Sequence, residues 1–150
     1  MNIERAILVA FLGNFIINNV VGAIVALLHI GTGGSTAQYG VYVVLAAIFA
    51  AVFAWWHLKA GMDRSIVRGL VFGVVAFLVA VATALLSGIA GVLTQSGSFG
   101  QLASVLPNFG PFLFNWPTLA LLAYWVIPGA IVGFLMKKPM KAADMPRPMI

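Results

Sequence analysis

The chain has 150 residues, 63% of them hydrophobic and 7% charged, with a net charge of +5, a pI near 10.1 and a mean hydropathy of +1.10. Soluble domains carry roughly 25% charged residues, so water is not the main solvent of this chain. The absence of cysteine excludes disulfides, thiolate metal sites and Cys nucleophiles.

Four apolar runs, at about 6–29, 40–58, 66–94 and 117–136, each approach or exceed the roughly 20 residues that a helix needs to cross a hydrocarbon core of about 30 Å. They predict one transmembrane domain over residues 1–150, an all-α integral membrane four-helix bundle. The first run is not expected to be a cleavable signal. Glu4-Arg5 is a poor basic leader, the apolar stretch is too long, and no Ala-x-Ala site closes it.

Within that run, "FLGNFIINN" carries Asn14, Asn18 and Asn19 and no charge. Asn14 and Asn18 lie one turn apart on one helix face, whereas Asn19 points about 100° away from Asn18, so one neighbouring helix can hardly satisfy all three. An unpaired amide in hydrocarbon costs on the order of 1 to 3 kcal/mol, while a paired one returns about 0.6 kcal/mol. The amides therefore serve specificity of assembly more than stability. Their partners are either the other helices of the bundle or something beyond it: another subunit, a lipid headgroup or a cofactor.

"GTGGS" at 31–35 reads as a tight connection into the second run. Tyr39 and Tyr42 enter that run, Trp55 and Trp56 leave it, and Trp116 enters the fourth, all at headgroup levels expected of interfacial anchors. Ala46, Ala50 and Ala54 repeat at four-residue steps in the second run; Gly69, Gly73, Ala76, Ala80, Thr83 and Ser87 follow one face of the third. With Gly129-x-x-x-Gly133 in the fourth, these stripes predict close backbone approach, which must supply packing energy where lipid offers no hydrophobic drive. Glu4-Arg5-Ala6-Ile7-Leu8 and Asp63-Arg64-Ser65-Ile66-Val67 share an order of residue types at two helix entrances. They admit either a parallel repeat about an axis along the membrane normal or a shared entrance chemistry alone.

The segment from about 95 to 116 is uncharged and rich in Phe99, Phe109, Phe112 and Phe114, too apolar to float in water. It is expected to rest in the interface or to dock on a partner. In the fourth run Pro128 removes an amide and releases the carbonyl of Tyr124. Tyr124 and Asn18 both lie roughly 18 Å deep at about 1.5 Å per residue, so Asn18 or Asn19 is expected to face that carbonyl. The closing "KAADMPRPMI" is Pro-rich and expected to be disordered alone.

All Lys and Arg residues fall on one side of the predicted bundle: Arg5, then Lys59, Arg64 and Arg68, then Lys137, Lys138, Lys141 and Arg147. The positive-inside rule puts both termini in the cytoplasm and makes Lys59, Arg64, Arg68, Lys137 and Lys138 a rim for anionic lipid headgroups, not a nucleic-acid surface. His29 and His57 close opposite ends of their runs and are expected to lie too far apart to share an ion or a haem. Single-His ligation is disfavoured because Val25 and Phe53 stand where a small residue would admit a macrocycle. The acids, Glu4, Asp63 and Asp144, sit at the cytoplasmic edge, so nothing within the membrane would relay a proton. No catalytic constellation, metal site or cofactor is expected.

The Arg-Ala-Ile-Leu entrance, "RGLVFGVVAFL" at 68–78 and the closing "YWVIPGAIVGFLMKK" resemble uncharacterised bacterial inner-membrane proteins of similar length with four predicted spans. That resemblance implies the topology and no activity. The resulting expectation is a non-catalytic subunit or assembly element of a larger membrane complex. Its rival is a small homo-oligomeric channel or carrier for an uncharged solute, with the Asn14 and Asn18 face lining a wet path.

Overall fold

A computed structural model of the chain describes residues 2–27, 36–60, 65–96 and 115–136. Over these residues the protein is all-helical, with four helices each long and apolar enough to span a membrane. They are α1 (Ile3–Leu27), α2 (Thr36–Lys59), α3 (Ile66–Ser96) and α4 (Trp116–Leu135). Three of them start on a polar cap: the N–H groups of Arg5, Arg68 and Thr118 donate to the side chains of Asn2, Ser65 and Asn115 at 3.1, 3.3 and 3.0 Å. Such a cap satisfies one of the donors that a helix start leaves open.

The α3–α4 pair has the most extensive contact, followed by α2–α4, while α1 packs more lightly on α2 and α3. Going round the bundle the order is therefore α1, α2, α4, α3, with α1 diagonal to α4. This order does not match the first of the two readings, a parallel repeat, and leaves the shared entrance chemistry. An axis along the membrane normal relating α1 to α3 and α2 to α4 would place each pair on a diagonal, whereas α1 and α3 are neighbours and so are α2 and α4.

Close contacts fix the antiparallel register. A Cβ on Gly69 would strike the Gly129 carbonyl, one on Gly73 would lie 2.7 Å from the Val126 Cα, and one on Gly133 would lie 2.6 Å from the Ser65 carbonyl oxygen. Real Cβ atoms essentially never come so near, so these positions admit only glycine at this helix spacing. The Gly129-x-x-x-Gly133 stripe thus meets the Gly69 and Gly73 stripe, backbone against backbone. In α2, Ala46, Ala50 and Ala54 are all buried, as are Ala76 and Ala80 in α3. The α3 stripe stops short of its expected end, for Ser87 is exposed. The 31 residues of α3 extend about 46 Å at 1.5 Å per residue, and its last turns run past the first turn of α4.

One element departs from regular helix. Ile17–Val21 form a π-helical turn within α1. A π turn accommodates an extra residue, and here it carries the buried face from Ile17 to Val21 and Val25 in four-residue steps while Val20 is exposed. The apolar period alone does not announce it.

Candidate functional site

The three asparagines of α1 have three different environments, and the π turn separates them. Asn14, one turn before it, is 2% exposed. Its Nδ2 donates to the Ala76 carbonyl at 3.3 Å, and its Oδ1 accepts from the Trp125 indole N–H at 3.2 Å. This one amide joins α1 to α3 and, across the diagonal, to α4. Trp125 is fully buried, edge-on to Phe72 with ring centroids 6.2 Å apart, and its ring also lies beside Gly13, where a Cβ would come within 2.8 Å.

Trp125 and Gly13 were not among the residues expected from the sequence to form contacts. A signal for Trp125 was present. It lies 10 residues from the end of α4 at Leu135 and Asn14 lies 11 from the start of α1 at Ile3, so at about 1.5 Å per residue the two sit at equal depth. A mid-membrane indole N–H also requires an acceptor.

Asn18 and Asn19 are both exposed and lie in the π turn. The Tyr42 hydroxyl donates to Asn18 Oδ1 at 3.1 Å, tying α1 to α2. Asn19 turns the other way and donates its Nδ2 to the Phe15 carbonyl at 2.7 Å. The amides of Asn18 and Asn19 are thus engaged with Tyr42 and Phe15, not with the carbonyl of Tyr124. Pro128 and Tyr124 are both buried. The geometric part of the expectation has a counterpart, since Asn18 and Tyr124 line one cavity.

That cavity, of about 210 Å³, lies between α1, α2 and α4 near the start of α2 and α4. Asn18, Tyr39, Tyr42, Thr118 and Tyr124 bring polar groups to it, with Val43, Leu121 and Pro117 as apolar wall. None of these residues carries a formal charge. It does not continue along the bundle axis as a wet face of α1, because Asn14, Ile17 and Val21 are buried beyond it.

At the opposite end, His57 is 6% exposed and stacks on Phe72 with centroids 4.7 Å apart and rings 15° from parallel. Its Nδ1 finds no hydrogen-bond partner among the described residues. The Phe72 ring covers it. Phe53, expected to crowd a macrocycle beside His57, packs against Gly13 and Trp56. Lys59 rests over the Trp55 ring at 4.8 Å, and Trp55, Trp56 and Trp116 are exposed, as befits anchors. Among the described residues no three His, Asp or Glu side chains are grouped to hold a metal ion. Arg64, Lys137, Lys138, His29, Phe99, Phe109, Phe112 and Phe114 lie outside the described residues. In comparisons with known proteins, no family model, curated protein or solved structure matches the chain.

Proposed function

We propose that the protein is a non-catalytic integral membrane subunit, an assembly or stabilising element of a larger membrane complex. Asn19 carries this reading. Its Nδ2 is engaged with the Phe15 carbonyl, but the Oδ1 of this exposed amide, presented by a widened turn well inside a membrane-spanning helix, is costly against lipid and is best matched by a donor of a neighbouring helix. Two further observations support it. The interior of the bundle is fixed by the glycine contacts and the Asn14–Trp125 bond, and the last turns of α3 overhang α4 with an exposed, small-residue surface. In this proposal both termini face the cytoplasm of a bacterial inner membrane, with Lys59 and Arg68 toward anionic headgroups.

The test is a photo-crosslinking amino acid at position 19, with the exposed position 44 of α2 as reference, followed by extraction in a mild detergent and native mass measurement. Adducts from position 19 to another membrane chain are expected. Monomer alone, with lipid adducts equal at both positions, would count against the proposal. The cavity beside Asn18 favours a second reading, a carrier of an uncharged solute, which flux measurements on proteoliposomes of the purified chain would detect.

A further inference from the structure

The cavity between α1, α2 and α4 has the size and chemistry of a binding site, whether the protein is a subunit or a carrier. Its volume is about 210 Å³. An apolar cavity of about 150 Å³ takes up benzene, so this open-sided one has room for a single six-membered ring with one or two small substituents. Three of its walls are tyrosine rings, from Tyr39, Tyr42 and Tyr124. Aromatic faces of this kind pack well against another flat ring.

Its polar groups define what that ring must carry. The Tyr42 hydroxyl occupies the acceptor half of the Asn18 amide, which leaves the donor half for a ligand. The hydroxyls of Tyr39 and Tyr42 can both donate and accept. No Lys, Arg, His, Asp or Glu is among the described residues that line the space, and an ion held without a counter-charge costs far more than a hydrogen-bonded neutral group. Charged ligands are therefore disfavoured, and so are rings without a polar atom, which would desolvate the Asn18 amide and the tyrosine hydroxyls and give them no bond in return. We infer that this cavity binds an uncharged, oxygen-substituted monocyclic ring of the phenol or quinol type. The ring comes either as a free small molecule or as the head of a membrane-soluble lipid. An apolar cleft of about 460 Å³ between α3 and α4, lined by Phe77, Leu78, Val81 and Leu122, shares Thr118 with it and offers a place for a hydrocarbon tail.

Ligand-observed NMR on the protein in nanodiscs, corrected with empty nanodiscs, tests the proposal with p-cresol, toluene and p-hydroxybenzoate as probes. Saturable p-cresol binding is expected, at least tenfold tighter than toluene or the benzoate anion. Tyr42→Phe should weaken p-cresol by roughly five- to tenfold through the lost hydrogen bond, and Leu121→Trp should abolish binding by filling the space. Should Leu121→Trp fail to fold, Tyr39→Phe serves in its place: it removes a single oxygen, and must weaken p-cresol without weakening toluene. A prenylated benzoquinol in the same bilayers distinguishes the source, binding more tightly than p-cresol if the ring is membrane-borne and no more tightly if it is free. Partition that does not saturate, toluene or the benzoate binding as well as p-cresol, or variants indistinguishable from the parent would overturn the inference.

Discussion

Asn14 and Trp125 form a buried pair whose two members depend on each other. Replacing Asn14 by Leu leaves the Trp125 indole N–H without an acceptor in a dry interior. The expected loss of unfolding free energy is about 1 to 3 kcal/mol, more than the ~0.6 kcal/mol average for interhelical hydrogen bonds in membranes. Adding Trp125→Phe to Asn14→Leu removes the orphaned donor, so the double variant should lose less than the sum of the single ones. Unfolding by steric trapping measures all three, and strict additivity would show that the two side chains do not act together. His57 poses the opposite case, a buried Nδ1 with no partner among the described residues, beneath the Phe72 ring; His57→Phe should be neutral or stabilising, since it removes a polar atom that finds no bond there. Among residues, the amides could be recognised from the sequence as polar atoms in need of partners. Which partner each takes depends on the π turn, and a tally of apolar positions does not contain it.

Among the elements, the glycine contacts of α3 and α4 are the most sharply constrained. Gly129→Ala should cost about 1 to 3 kcal/mol, the range for overpacking a core, because its Cβ would lie 2.5 Å from the Gly69 carbonyl oxygen. Gly22→Ala is the matched control: nothing lies within 4 Å of a Cβ there, so it should be neutral or gain up to about 1 kcal/mol of helix propensity. The same unfolding assay separates them, and equal effects would mean that the α3–α4 spacing is adjustable. The π turn makes a second prediction at this scale. Deleting Asn19 should convert the turn to regular helix while keeping Val21 and Val25 inward, so helicity and stability stay within about 1 kcal/mol of the parent. Deleting Leu12, by contrast, rotates the helix segment on one side of the gap by about 100° relative to the other and should disrupt the fold. Circular dichroism and the unfolding midpoint read both. The four helices and their small-residue stripes were legible in the sequence because membrane length and close packing leave plain compositional marks. Their order around the bundle was not legible, since stripes indicate that helices meet without saying which ones do.

For the whole molecule, orientation is the property that the charges predict. The chain has no cysteine, so single introduced thiols report it cleanly. In intact cells a membrane-impermeant maleimide should label Trp116→Cys and leave Ala60→Cys untouched until the membrane is opened; the reverse pattern would invert the proposed topology. The diagonal bond also sets a schedule for biosynthesis. Its partners are 111 residues apart in the sequence, which at about 5 to 20 residues per second amounts to on the order of ten seconds of translation. During that interval the nascent first helix holds its amide without the indole that will receive it. Emergence of α4, and not insertion of the opening hairpin, is then the moment when the interior closes, and chains truncated before α4 should be kept by insertion chaperones or cleared by membrane proteases.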